Sequence, residues 1–169
     1  MATISEKINK ALNDQMQFEI ASGYLYWGMA AYCESINLPG FAHWLVAQYN
    51  EEVNVHARKF YSYITERGGR AELGAIDKPP VEWKSPLAIF EAAYKHECIV
   101  TERIYKLAEL ARKEGDLATV EFLNWFIKEQ VEEEKSTDEI VQMLKMAGEK
   151  SVQALFMINA RLAERKFGG

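Results

Sequence analysis

Carboxylate side chains interrupt four helical stripes of the sequence that are otherwise apolar. Glu19, Glu52 and Glu97 each fall on such a stripe, near the middle of a long helix-forming stretch. A fourth stretch carries Gln130 and Glu133 in the same setting. Because every ion loses its hydration on burial, a buried cluster of carboxylates must take up protons or hold cations. If the four stretches pack side by side, the sequence predicts a metal site at their common mid-height.

A histidine belongs to the same pattern. His56 follows Glu52 by four residues, which places both side chains on one face of a helix. Four carboxylates, one amide and one imidazole form a hard, oxygen-rich donor set that suits a pair of iron or manganese ions. The alternative is that the phase of the stripes is wrong and the glutamates are solvated. His43 and His96 have no comparable setting, and we expect them to have ordinary structural roles.

Further polar and aromatic residues flank the predicted site. The acidic run 129–134 usually indicates a solvated helix face, but here it brackets two candidate ligands and could add an accessory cation site. The acidic neighbours of the core set are Glu51, Glu129, Glu132 and Glu134. Tyr26 and Trp125 lie at helical spacing from Glu19 and Glu129. Aromatic residues at this spacing usually pack, although beside redox metals they can also supply electrons.

Four long helices are predicted to position these residues. Sparse Gly and Pro break the chain into four proline-free stretches of roughly 28 to 31 residues with apolar residues every three or four positions. Two of the links are only a few residues long, so the helices they join are antiparallel neighbours. The link from Gly68 to Lys84 is long enough to run along the whole bundle and make the second and third helices parallel. The sequence thus predicts an all-α four-helix bundle with one long crossover.

The length of 169 residues indicates one domain, 1–169, with the bundle over about 4–147 and a short fifth helix over about 150–165. The net charge of −5 gives no basic footprint for nucleic acid. No uncharged run is long enough to cross a membrane, and the polar start does not resemble a signal peptide. We therefore expect a cytoplasmic protein without nucleic-acid or membrane partners. Cys33 and Cys98 form no CxxC pair and are expected to be reduced.

Around these residues the chain closely resembles the non-haem ferritins of bacteria and archaea. The matching segments are ALNDQMQFE, QYNEEVNVHA, YKHE and FLNWFIKEQVEEE. The resemblance implies a first iron site formed by Glu19, Glu52 and His56. It implies a second site formed by Glu52, Glu97 and Glu133 with Gln130. It also implies a third iron site formed by Glu51, Glu129, Glu132 and Glu133, with Tyr26 and Trp125 as the aromatic residues beside the centre.

The same resemblance implies a function. Such a protein oxidises Fe(II) at the di-iron centre with dioxygen or peroxide, and stores Fe(III) mineral inside a homo-oligomeric cage of 24 subunits. No haem is expected, because Val53 stands where bacterioferritin has its haem-ligating methionine, and residues 129–132 lack its second E-x-x-H motif. Two alternatives remain: a soluble di-iron oxidase or peroxidase without mineral storage, and a helical interaction module whose glutamates are exposed.

One residue more than the family pattern lies before the histidine. The family motif is E-x-x-H, whereas this chain reads Glu52-Val53-Asn54-Val55-His56. In a rigid α-helix one insertion rotates everything downstream by about 100°. A single-turn π-bulge can absorb the extra residue locally and occurs often at functional sites. We therefore predict a π-bulge within Glu51 to Lys59, with His56 still directed at the metal beside Glu52 and Glu19.

Overall fold

The computed structural model describes residues 3–148 and 151–167, and these residues form helices without any strand. Four long helices are followed by a short one, as the sequence predicts. They are α1 (Glu6–Ser35), α2 (Pro39–Glu51, continued by a π-helical turn over Glu52–Ala57 and by Arg58–Glu66), α3 (Pro86–Lys113), α4 (Leu117–Ala147) and α5 (Val152–Leu162). Within this part of the chain, no helix is both long enough and apolar enough to cross a membrane.

Side-chain caps fix where most of the helices begin. Ser5, Ser85, Asp116 and Ser151 each accept a hydrogen bond from a backbone N–H in the first turn that follows. Pro86 occupies the first position of α3, where its missing N–H costs nothing. α3 therefore begins directly after the link that the sequence predicts from Gly68 to Lys84. α5 ends at Leu162, earlier than the predicted limit of about 165, and residue 150 lies outside the described residues.

The segment 67–85 is the predicted long crossover, and it follows α1 from one end to the other. Asn13 Nδ2 donates to the carbonyl of Arg70 near the start of this path. The hydroxyl of Tyr32 donates to the carbonyl of Trp83 near its end, at 2.7 Å. Since the crossover travels the length of the bundle, α3 begins at the same end as α2, and the two run parallel.

The core consists of two apolar clusters with a polar layer between them. One cluster includes Met29, Phe41 and Phe90, whereas the other includes Leu12 and Phe60. The layer between them contains the buried polar side chains Gln15, Glu19, Gln48, Glu52, His56, Glu97, Gln130 and Glu133. The two apolar clusters hold the four helices rigidly on either side of this layer, so the charged groups are positioned by hydrophobic packing.

The predicted π-bulge is confirmed as a π-helical turn over Glu52–Ala57. It carries Val53 towards α1, where Gly23 leaves room for it. A Cβ atom at Gly23 would lie only 2.5 Å from Val53 Cγ2, closer than carbon atoms pack in proteins. The absence of a side chain at Gly23 therefore allows α1 to approach the bulged part of α2.

α5 is tied to the beginning of α2. The residue that precedes α2, Leu38, provides no side-chain cap. Instead, Asn159 Oδ1 of α5 accepts hydrogen bonds from the backbone N–H groups of Gly40 (2.8 Å) and Phe41 (3.2 Å). An asparagine from a distant part of the chain thus takes the role of the cap. The outer face of α5 remains apolar, with Phe156 73% exposed.

Candidate metal centre

All four long helices contribute to one buried polar cluster. Glu19 comes from α1, Glu52 and His56 from the π-helical turn, Glu97 from α3, and Gln130 and Glu133 from α4. None of these six residues is more than 4% exposed. The alternative in which the glutamates are solvated is therefore wrong, because they are buried between the two apolar clusters.

Two groups of ligand-capable atoms meet at His56. The donor atoms of Glu19, Glu52 and His56 all lie within 4.8 Å of one another, and so do those of His56, Glu129 and Glu133. His56 Nδ1 is 3.2 Å from Glu52 Oε2, and its Nε2 is 4.0 Å from Glu133 Oε1. The imidazole thus stands between the two carboxylate groups, and the extra residue in α2 has not turned it towards solvent.

Two buried amides orient the carboxylates. Gln15 Nε2 donates to Glu19 Oε1 at 2.8 Å, whereas Gln48 Nε2 donates both to Glu52 Oε1 (3.1 Å) and to Glu133 Oε2 (2.7 Å). The other oxygen of Glu19, Oε2, is buried without a hydrogen-bond partner among the described residues. An anionic oxygen without a partner is costly in the interior unless a proton or a cation satisfies it. The donor set therefore fits a hard cation beside Glu19.

Glu97 has different partners. Its carboxylate accepts hydrogen bonds from the hydroxyl of Tyr26 and from Gln130 Nε2, the latter at 3.2 Å. Gln130 also donates to the hydroxyl of Thr101. Glu97 therefore belongs to neither group of converging ligand atoms among the described residues, and Gln130 serves as a donor to its neighbour. Tyr26, which the sequence places on the face of Glu19, contacts Glu97 across the bundle.

Burial raises the pKa of each of the four central carboxyl groups, and the neighbouring carboxylates raise it further. The pKa values of Glu19, Glu52, Glu97 and Glu133 are each raised to about 8, first by the loss of hydration on burial and then by the charge of a neighbouring glutamate. Burial and the nearby carboxylates also raise the pKa of Tyr26 well above its usual value. At neutral pH the metal-free centre thus holds protons in the places where cations would bind.

The four acidic residues that flank the centre differ in their exposure and in their partners. Glu129 is half-buried beside His56 and Glu133, but Glu132 is exposed. Glu51 is half-buried and forms a salt bridge with Arg165, a residue beyond the end of α5. Glu134 accepts a hydrogen bond from Thr101. The structure thus brings together only part of the set proposed for a third cation.

The remaining aromatic rings and histidines have structural contacts. Trp125 packs edge-on against the ring of His56, with ring centroids 5.6 Å apart. His43 Nε2 lies 2.7 Å from the carbonyl oxygen of Arg165, and His96 Nε2 lies 2.7 Å from Ser22 Oγ. Neither histidine belongs to a group of converging ligand atoms in the described part of the chain.

Sequence reasoning did not assign roles to Gln15 and Gln48. Each precedes a central glutamate by four residues, a spacing at which an amide and a carboxylate can meet on one helix face. That spacing was the available signal. The role of Arg165 had no local signal, because the partner Glu51 is 114 residues away.

Comparisons with known proteins cover nearly the whole chain and agree with one another. Residues 9–147 match the model of the ferritin family, described as a ferritin-like domain. The chain is 40% identical over 164 residues to the bacterial non-heme ferritins of Staphylococcus aureus and Staphylococcus haemolyticus, covering 97% of this chain and 98% of those proteins. An engineered closed form of the Archaeoglobus fulgidus ferritin superposes with a TM-score of 0.95 at 48% identity, covering 98% of this chain and 99% of that one. A humanized archaeal ferritin gives a TM-score of 0.96 at 47% identity, covering 99% and 100%.

Proposed function

Because this chain belongs to the ferritin family, we propose that it is an iron-storage protein with ferroxidase activity. Each subunit oxidises Fe(II) at a di-iron centre inside its bundle, and a cage of 24 subunits stores the ferric product as mineral. One observation carries this proposal: a buried set of carboxylate and imidazole donors, contributed by four helices, includes an oxygen of Glu19 that has no hydrogen-bond partner within residues 3–148 and 151–167. Iron is the substrate of the centre and the cargo of the cage.

The first Fe(II) binds between Glu19, Glu52 and His56. Their donor atoms already lie within 4.8 Å of one another, and Glu19 Oε2 accepts no hydrogen bond from any of the described residues. The imidazole supplies a nitrogen that stays neutral while it binds, and the carboxylates compensate the charge of the ion. Binding at the first site therefore requires the carboxyl groups to lose their protons more than it requires the side chains to move.

The second Fe(II) binds on the other side of Glu52, with Glu133, Glu97 and Gln130. Glu52 and Glu133 are already joined through the amide of Gln48. Glu97, however, is held by Tyr26 and Gln130, so its carboxylate must turn towards the metal and release one of these hydrogen bonds. Glu52 is the bridge, because it belongs to both proposed sites. Glu51, Glu129, Glu132 and Glu133 form the third site.

In the reaction, two Fe(II) ions lose one electron each. The two electrons and two protons convert dioxygen to hydrogen peroxide, or hydrogen peroxide to water. The protein contributes ligands that favour the more highly charged ferric ions, and a dry setting in which those charges interact strongly. Tyr26 donates a hydrogen bond through its hydroxyl to Glu97 and so orients that carboxylate before the second Fe(II) binds.

Cage assembly accounts for the apolar outer surface of α5. Val152 and Phe156 are 80% and 73% exposed, and single subunits rarely leave such a face uncovered. Contacts between copies of a chain usually follow closed symmetry, which a cage satisfies. A monomer or dimer by light scattering at micromolar concentration would overturn this part of the proposal.

The activity is tested by aerobic oxidation of Fe(II), followed by the ferric absorbance, in the assembled protein. Glu52→Ala should abolish the rapid initial phase while the cage still assembles, since the substitution removes a buried polar group whose loss of hydration opposes folding. Glu109→Ala, an exposed acid on α3, is the matched control. Unchanged initial rates in the Glu52 variant would refute the site.

Iron content then separates storage from simple oxidation. A mineral-storing cage retains far more iron per subunit than its catalytic centre can hold. Retention of about two irons per subunit, with oxidation intact, would instead indicate a di-iron oxidase or peroxidase on the same bundle.

A further inference from the structure

The C-terminal tail inserts one cation beside the metal centre. The guanidinium of Arg165 forms a salt bridge through Nη2 with Glu51 Oε2. Through Nη1 it donates to Gln48 Oε1 at 2.9 Å and to the carbonyl of Trp44 at 3.2 Å. Its Cζ atom also lies 4.1 Å from the centroid of the Trp44 ring. Both members of the ion pair are only 18% exposed, so this guanidinium is well enclosed.

The tail is fastened on both sides of this residue. Upstream, Asn159 caps the beginning of α2. At Arg165 itself, the backbone carbonyl oxygen meets His43 Nε2 at 2.7 Å, and Phe167 packs against the ring of His43 with centroids 5.0 Å apart. Several independent contacts therefore deliver the guanidinium to one place on α2.

At this place one acidic residue, Glu51, does not converge with the other acids of the cluster. The donor atoms of Glu129 and Glu133 converge with those of His56, but Glu51 joins neither group of ligand atoms within the described residues. Its carboxylate is occupied by Arg165. A guanidinium remains charged at any working pH and forms its strongest contacts with carboxylates, so it competes directly with a metal ion for the same oxygen atoms.

From these contacts we propose that Arg165 is a built-in cation which occupies the outer part of the acidic cluster, and that a third metal ion gains Glu51 as a ligand only when Arg165 withdraws. This inference rests on the proposed function, because it concerns the third site of the same centre. The first two sites fill while the tail stays docked, and the third fills at the expense of the tail.

The same guanidinium also orients the interior. Because Arg165 donates to Gln48 Oε1, the amide must present its Nε2 to Glu52 and Glu133. The tail is thus connected through one glutamine to the carboxylate that bridges the two proposed irons. Arg165 is a positioning residue in this respect, since it acts on Glu52 through Gln48.

The test is calorimetric titration of the metal-free cage with Zn(II), which binds oxygen and nitrogen ligands and undergoes no redox reaction. Arg165→Gln should bind the third zinc per subunit about tenfold more tightly than the wild type, because a charge-assisted contact no longer competes. Arg161→Gln removes the same charge from an exposed position on α5 and should match the wild type.

A second substitution assigns the gain to Glu51. In the Arg165→Gln background, Glu51→Gln should abolish the tighter third step. Third-step affinity that is equal in the wild type and Arg165→Gln, or weaker in the variant, would overturn the inference. So would a gain that survives Glu51→Gln.

The wild type provides an independent readout. In its zinc-loaded crystal structure, anomalous scattering should locate a third zinc at Glu51 only in subunits where Arg165 has moved away. A zinc bound by Glu51 with the salt bridge intact would refute the proposal. Failure of the first two zincs to bind would contradict the proposed function itself, whereas two bound zincs with an insensitive third step would refute only the role of Arg165.

Discussion

Binding of Zn(II) to the metal-free protein should release protons, and the number released should decline steeply as the pH approaches 9. The reason is the protonation of the empty centre. Glu19, Glu52, Glu97 and Glu133 have pKa values raised to about 8, so they are largely neutral at the pH of most cells. Since a carboxylate binds a metal ion only after it loses its proton, each ligand that enters the coordination sphere releases one.

The magnitude follows from the four pKa values. At pH 6.5 a carboxyl group with a pKa of about 8 is about 97% protonated, whereas at pH 9 it is about 9% protonated. Filling both sites uses up to four such groups, so we expect about two to four protons per subunit at pH 6.5 and fewer than about one at pH 9. The apparent affinity for zinc should rise with pH over this interval, with a slope that equals the number of protons released.

The assay is calorimetry in buffers that differ in ionisation enthalpy. The slope of the observed heat against that enthalpy gives the proton count directly. Glu52→Gln should release about one proton fewer, because the amide has none to lose. The exposed Glu109→Gln should release as many as the wild type.

Release of fewer than about half a proton at pH 6.5, with both zincs bound, would refute the reasoning. It would mean that the buried carboxylates are already ionised in the metal-free protein, and that the Glu19 oxygen without a hydrogen-bond partner among the described residues is not protonated.

Three further predictions concern stability. Because these pKa values are raised, the folded metal-free protein holds more protons than the unfolded chain between about pH 4.5 and 8. The melting temperature of the metal-free protein should therefore fall as the pH rises from about 5.5 to 8. Saturating zinc should reverse this trend. A melting temperature that rises over this interval would contradict it. Gly23→Ala should lower the free energy of unfolding in urea by about 1–3 kcal/mol, because the new Cβ atom would meet Val53. Gly74→Ala should have little effect, because its Cβ atom would lie 3.8 Å from the first atom it meets. Equal losses of stability in the two variants would contradict the close approach of α1 to α2. Asn159→Ala should cost about 1 kcal/mol by removing the cap of α2, and an unchanged urea midpoint would show that the cap contributes nothing.

The sequence predicted the bundle and the location of its centre because both depend on local periodicity. A carboxylate on an apolar stripe is conspicuous, since the three- and four-residue spacing that buries Leu12 and Met16 also buries Glu19. The crossover was predictable from its length alone. These features need only the geometry of a helix and the reach of an extended chain.

The hydrogen bonds inside the centre could not be predicted in the same way. Whether Tyr26 meets Glu19 on its own helix or Glu97 across the bundle depends on the rotation of one helix against another. Similarly, Arg165 reaches Glu51 only because Asn159 anchors the end of the chain against α2. Such contacts join residues far apart in the sequence, and no periodic pattern encodes them.

The π-helical turn shows where local and distant requirements meet. One additional residue in an unbroken α-helix would rotate the rest of α2 by about 100° and turn Phe60 away from the position that the family pattern gives it. In the structure Phe60 is fully buried and stacks on Phe126, with ring centroids 4.4 Å apart, so the turn has absorbed the rotation. His56 lies within the turn and still faces Glu52. The insertion is therefore accommodated between the apolar cluster that fixes the end of α2 and the carboxylates that fix its middle, and the glycine at position 23 supplies the space that this requires.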